Sequence, residues 1–153
     1  MCAKGVIFMD INYKILRNIK NRISDLTSLR CKAYGMENGC FEMFYSNEIM
    51  NGRMLAFVAY DKKKIVGACY VHDQFGILYI DQLFVDPDYQ EKGYHIGIKL
   101  LNYVLKHKKV IDEFYDKEFK KARLEPINEK AYNLYYGAGF REYGSLGDML
   151  KNI

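Results

Sequence analysis

Phe84-Val85-Asp86-Pro87-Asp88-Tyr89-Gln90-Glu91-Lys92-Gly93-Tyr94-His95-Ile96-Gly97 joins a strongly apolar run, residues 77–85, to a segment of a different period. From Ile96 onward the apolar positions are Ile96, Leu100, Leu101, Val104 and Leu105, which share one face of a helix. A strand, a polar loop and a helix opening between two glycines are therefore expected. The first turn of a helix carries N–H groups without intrahelical partners, and the macrodipole places roughly half a positive charge there. A phosphate fits such a site when no bulky side chain blocks it. Gly93 removes one side chain and permits a positive φ, Gly97 opens the helix face, and Lys92 adds charge. A glycine-rich turn without any ligand has the same local pattern. Neither G-x-G-x-x-G nor G-x-x-x-x-G-K-[ST] is present.

Upstream, residues 54–60 and 64–72 read as strands joined by the polar turn Asp61-Lys62-Lys63, and residues 77–85 follow after a second turn. These three form an antiparallel meander. Before them, residues 11–16 suit a first strand, and residues 24–34 suit a helix with Ser24 as its cap. Residues 41–50 suit a second, shorter helix stopped by Asn51-Gly52. Downstream, residues 122–124 form a short strand closed by Pro126. Ala131, Leu134, Tyr135 and Ala138 mark a further helix, capped by Asn128 and ended by Gly139, and residues 140–143 start a last strand. Residues 110–121 carry Ile111, Tyr115 and Phe119 at near-helical spacing, which suggests an extra helical turn or two. Strands first and alternating strands and helices afterwards point to an α+β domain with a mixed sheet.

The 153 residues suit one domain, and 50% hydrophobic content suffices for a substantial core. The net charge of +4 lacks the concentrated positive face of a nucleic-acid binder. Lysines 106, 108, 109, 120 and 121 are the basis of that competing reading, and helix ends carry such lysines for other reasons. Cys2, Cys31, Cys40 and Cys69 show no regular spacing, which suggests reduced thiols. No His or Cys lies at zinc-ligand spacing, so no metal is expected. The start of the chain has too short an apolar stretch for a signal peptide, and no window approaches the ~20 apolar residues of a membrane span. A soluble, cytoplasmic protein is expected.

Gln90-x-x-Gly93-x-His95 resembles the pyrophosphate motif Q/R-x-x-G-x-G/A of the GNAT N-acetyltransferases. Asn128-x-x-Ala131-x-x-Leu134-Tyr135-x-x-x-Gly139-Phe140 resembles that family's second signature. Their order matches too, and the resemblance spans nearly the whole chain. It implies one acetyltransferase domain, residues 1–153. The implied fold is a mixed, mostly antiparallel central sheet of six to seven strands, flanked by about four helices and splayed between the fourth and fifth strands. It further implies that Gln90, Glu91, Lys92, Gly93, Tyr94, His95, Ile96 and Gly97 wrap the coenzyme A pyrophosphate. Backbone groups of Leu83, Phe84 and Val85 would bond the pantetheine arm and the acetyl oxygen, and Asn128 would contact pantetheine. Tyr135 would protonate the departing thiolate. His95 departs from the motif: a helical residue there needs no positive φ, so the question is whether its imidazole meets the phosphates or solvent.

The resemblance implies transfer of acetyl from acetyl-CoA (coenzyme A as co-substrate) to a primary amine by direct attack in a ternary complex. The acceptor would be a small amine or peptide amine, without nucleic acid or membrane partners, and a homodimer is one expected assembly. A catalytically silent coenzyme A-binding sensor module is the alternative. Asp81 lies where the family often carries a carboxylate and is the candidate base. It is equally suited to capping a sheet edge or pairing with a lysine, and Glu42 and Glu48 are further candidates. Tyr135 also sits on the apolar stripe and suits a core role. Phe41, Met43, Phe44, Tyr45 and Met50 would wall an apolar acceptor pocket or simply form core.

Overall fold

A computed structural model describes residues 10–17, 19–36, 42–90, 93–144 and 147–153, with the side chains of residues 42 and 43 left aside. In chain order the elements are β1 (Ile11–Ile15), α1 (Ile23–Tyr34), α2 (Glu42–Met50), β2 (Met54–Asp61), β3 (Lys64–Gln74) and β4 (Ile77–Val85). A 3₁₀ turn (Pro87–Tyr89) comes next, then α3 (Ile96–Lys106), α4 (Lys108–Tyr115), β5 (Lys121–Leu124), α5 (Glu129–Gly137), β6 (Arg141–Tyr143) and β7 (Asp148–Asn152). Among the described residues the strands form one sheet of seven, in the order β1-β2-β3-β4-β5-β7-β6. The β4–β5 pair is parallel and the others are antiparallel.

The expected architecture is present. The meander is β2–β4, and the strand residues 77–85 match β4 end to end. Four local expectations change. Helix α1 starts at Ile23, so Ser24 lies inside its first turn and Arg22 stands at the N-cap without a side-chain cap bond. The extra turn expected in residues 110–121 is the eight-residue α4, whose buried Ile111 docks into the core. Strand β1 ends at Ile15, although the Leu16 N–H still bonds the Ala56 carbonyl at 2.9 Å. The run expected to be the last strand is the three-residue edge β6, and β7 inserts between it and β5.

The two faces of the sheet bury separate cores. One face packs Phe57, Cys69, Val71, Leu78 and Ile80 against Leu100, Leu101, Val104 and Ile111 of α3 and α4. The other packs Ala56, Val58, Ala68, Tyr70 and Phe84 against Leu26 and Leu29 of α1 and Ile49 of α2. Each buried aliphatic side chain contributes roughly 1.5–3 kcal/mol of transfer free energy. Leu101 is fully buried, and Leu101→Ala would cost about 2–5 kcal/mol.

Two irregularities prepare the site. The first is a bulge: Tyr70 pairs with Gln82 and Val71 with Ile80, so Asp81 is the extra residue. A bulge inverts the facing of the residues beyond it. Leu78 and Ile80 therefore share a core with Leu83, while Phe84 belongs to the opposite one. The second is the splay. Strands β4 and β5 pair only at Leu78↔Ala122 and Tyr79↔Arg123. Strand β5 is four residues long and Pro126, two residues beyond it, has no N–H to extend a ladder. The C-terminal part of β4 thus leaves its partner and opens a gap.

Candidate active site

The gap continues into a cleft of ≈ 360 Å³. One side is formed by Leu83, Phe84 and Val85 of β4, with Ala33 and Tyr34 of α1. The other is formed by Ile127, Asn128, Lys130, Ala131, Leu134 and Tyr135. Gln90, His95, Ile96, Gly97 and Ile98 close one end, where α3 begins. The first intrahelical donor there is the Lys99 N–H, which bonds the His95 carbonyl at 3.0 Å, so the amides of Ile96, Gly97 and Ile98 have no acceptor inside the helix.

His95 corrects the expectation of a helical residue at this point. It is the N-cap of α3 with φ 50 and ψ 40, in the left-handed region, and makes no side-chain cap bond. For a residue with a Cβ this costs about 1–2 kcal/mol. Next to His95, Tyr94 packs beside Tyr89, with ring centroids 5.8 Å apart, and against the small core of Ala59, Val66, Val85 and Ile96. Gly93 is left-handed as well, with φ 76, and a Cβ built on it meets nothing within 4 Å. The positive φ expected of it is present, and the space beside it is open. Gly97 serves close approach, since a Cβ there would lie 3.3 Å from Leu134 Cδ1 and 3.9 Å from Val85 Cγ2. Gln90 folds the loop back by donating from Nε2 to the Val85 carbonyl at 2.9 Å.

Asn128 is the expected N-cap of α5: its Oδ1 accepts from the Ala131 N–H at 2.8 Å, which leaves its NH₂ group over the cleft. Tyr135 is buried (8% exposed), as its core role expects, and also lines the cleft. Burial first, then the neighbouring Cys69 and Tyr34, push its phenol well above the ordinary value of 10, and it is protonated at neutral pH. Among the described residues its hydroxyl has no hydrogen-bond partner.

Asp81 stands apart from the cleft lining. The bulge turns it toward the α1–α2 face, where His72 Nε2 lies 3.2 Å from Oδ2. The Tyr45 hydroxyl donates to Oδ1 at 3.4 Å and Gln82 Nε2 donates to it at 3.3 Å. Gln82 Oε1 in turn accepts from Arg30 Nε at 3.3 Å, and the Arg30 guanidinium lies 4.6 Å from the Tyr45 ring centroid. Burial works to raise the Asp81 carboxyl, but the hydrogen bonds from His72 and Gln82 and the His72 charge outweigh it and hold it below 3.8. The His72 imidazole is raised above 6.5, chiefly by the bond to Asp81 and against the effect of burial. Its Nδ1 lies 3.2 Å from the Asp73 carbonyl. Both ring nitrogens face acceptors, so only the imidazolium satisfies both.

The structure thus brings Leu83, Phe84, Val85, Gln90, His95, Ile96, Gly97, Asn128 and Tyr135 around one cleft and leaves Gly93 and Tyr94 off its lining. Glu91 and Lys92 lie outside the described residues, as do Cys2, Cys40, Phe41 and the side chains of Glu42 and Met43. Of the expected acceptor wall, Tyr45 reaches the site while Phe44 and Met50 are exposed. Glu48 is taken up by Arg53, with contacts of 2.8–3.0 Å. Sequence reasoning missed His72, Gln82 and Arg30, whose proximity to Asp81 depends on strand register and on the docking of α1. Cys31 and Cys69 are both buried. No described helix is long and apolar enough to cross a membrane.

An α+β sheet that splays beside an open helix start defines a class of domain able to hold an extended anionic ligand. The family model of the acetyltransferase (GNAT) domain matches residues 52–142, more than half of the chain, and the protein belongs to that family. Solved structures share the fold. The PaiA N-acetyltransferase from Thermoplasma acidophilum, in complex with coenzyme A, superposes with a TM-score of 0.68 at 19% identity, covering 95% of this chain and 100% of its own. PH1933 from Pyrococcus horikoshii OT3 gives 0.67 at 26% identity, covering 94% and 99%. The aminoglycoside 6'-N-acetyltransferase from Enterococcus faecium gives 0.72 at 18%, covering 92% and 96%. None of the curated proteins compared matches the sequence.

Proposed function

We propose that this chain is an acetyl-CoA-dependent N-acetyltransferase that acetylates a primary amine within a ternary complex. The observation that carries the proposal is the continuity of the cleft, from the free amides at the start of α3, past residues 83–85 of β4, to the Tyr135 hydroxyl. The residues present fit coenzyme A: a glycine lies where a Cβ would crowd Leu134, and the lining sets Gln90, His95, Asn128 and Lys130 among apolar side chains. Ile96, Gly97 and Ile98 would hold the diphosphate by their N–H groups, with His95 and Gln90 beside it. Asn128 and the unpaired edge of β4 would bond the pantetheine arm.

The bound thioester supplies an activated acetyl group, which a neutral amine takes as the thiol leaves. The chain's own part is orientation and proton handling. Tyr135 holds its proton at neutral pH and donates it toward the sulfur. An alkylamine near pKa 10.4 arrives mostly protonated. Asp81, held as an anion by His72, Gln82 and Tyr45, would attract that ammonium and orient the water that carries its proton away, leaving the neutral amine to attack. Incubation with acetyl-CoA and a panel of amines tests the proposal. Thiol released in step with acetylated amine supports it. Coenzyme A bound with no turnover across the panel would instead mark a silent sensor module.

A further inference from the structure

The residues just after β4 line no part of the cleft, yet Asp86 is 1% exposed, with both carboxylate oxygens engaged. Lys32 Nζ of α1 lies 2.8 Å from Oδ1 and Lys64 Nζ of β3 lies 3.3 Å from Oδ2. The Asp88 N–H donates to Oδ1 at 2.9 Å, and the Asp86 N–H donates to the Val66 carbonyl at 2.8 Å. Lys32 Nζ also reaches Asp88 Oδ2 at 2.8 Å. The loop is pinned again where the Tyr89 hydroxyl donates to Asp61 Oδ2 at 2.6 Å. Stability is a poor reason for burying a carboxylate, because desolvation offsets most of what the ion pair returns. Position is a better one. Lys32 immediately precedes Ala33 and Tyr34, which line the cleft from α1, and Asp86 immediately follows Val85, which lines it from β4. One ion pair, with a buried carboxylate and a part-exposed ammonium, therefore joins the end of α1 to the loop that leads into α3.

We propose that Asp86 is a positioning residue of the acyl-donor site: through Lys32 it sets the spacing between the end of α1 and the loop before α3, and so the width of the cleft that receives coenzyme A. The inference rests on the reading of that cleft as a coenzyme A site. Lys32 is the more useful handle, because its side chain is 44% exposed and Lys64 still faces the Asp86 carboxylate when it is replaced. Its ammonium is pushed up to about 12 by the hydrogen bonds to Asp86 and Asp88, so the contact persists across the neutral range.

The test measures coenzyme A affinity by calorimetry in the parent, Lys32→Met, Lys32→Arg and Asp86→Asn proteins, with kcat at saturating acetyl-CoA on an accepted amine. Lys32→Met and Asp86→Asn should each weaken coenzyme A binding about tenfold, as expected for one shared ion-pair network. Lys32→Arg should restore it, and kcat should stay near the parent value. Affinity unchanged in Lys32→Met would overturn the inference even if thermal stability fell. Should Asp86→Asn fail to fold, the Lys32 pair of variants decides alone. A parent protein with no grip on coenzyme A would overturn the functional reading itself, and this inference with it.

Discussion

The two sides of the splay are built in different ways. On the proposed donor side, the strand end, the loop and the helix start are consecutive, within residues 83–98. On the acceptor side, Asp81 meets His72 from across a hairpin and Tyr45 from 36 residues away, while Arg30 reaches Gln82 across 52. Backbone amides and a helix dipole need only local sequence to exist, whereas a side-chain proton network needs tertiary structure to assemble it. The proposed donor side is therefore set by local sequence and the proposed acceptor side by tertiary contacts.

Substitutions sharpen that contrast, in order of expected effect. Tyr135→Phe removes the cleft-lining phenol that would protonate the leaving sulfur; kcat should fall by roughly 10³-fold with coenzyme A affinity unchanged. Equal rates in the variant and parent would assign Tyr135 to the core alone. Asp81→Asn should lower kcat/KM for the amine by roughly 10²-fold and leave donor binding intact. A loss confined to coenzyme A affinity would erase the distinction between the two sides.

Smaller effects come from the ionised pair and from the strained cap. Asp81 is held below 3.8, so its contribution to stability is fully present above that pH and is lost as pH falls through the folded value. His72 is held above 6.5, so its contribution is fully present below 6.5 and is lost as pH rises through the folded value. The pair stabilises most between those limits. Denaturant unfolding of His72→Gln should show a smaller decline than the parent from pH 6.5 to 8, and parallel curves would contradict the ion pair. His95→Gly relieves a left-handed Cβ and should raise stability by about 1 kcal/mol. A loss of stability would mean that the imidazole supplies an interaction larger than the strain.

The fold was legible wherever hydrophobic period and breakers agreed. The apolar run of β4, the stripe of α3 and the Asn128 cap of α5 were each visible in a short window. Strand β7 was not, because only Met149 of Asp148–Asn152 is fully buried and the alternation is brief. The bulge at Asp81 leaves no local mark: β4 reads as one regular strand, and only its pairing with β3 reveals the extra residue. The left-handed His95 was hidden for a related reason. A non-glycine residue does not announce a positive φ, and nothing in the window 90–97 marks His95 as the left-handed position. His72 was hidden as well: laid end to end, the strands of residues 64–72 and 77–85 set it opposite Ile77, and only the actual register, with His72 opposite Tyr79, and the bulge bring it to Asp81.

The most direct measurement is an amide NMR titration with coenzyme A and, separately, with pantetheine, which lacks the diphosphate. The N–H signals of Ile96, Gly97 and Ile98 should move strongly with coenzyme A and hardly at all with pantetheine. Signals at the start of α3 that stay in place while coenzyme A binds elsewhere, or no binding at all, would contradict the assignment of that helix start as the diphosphate cradle.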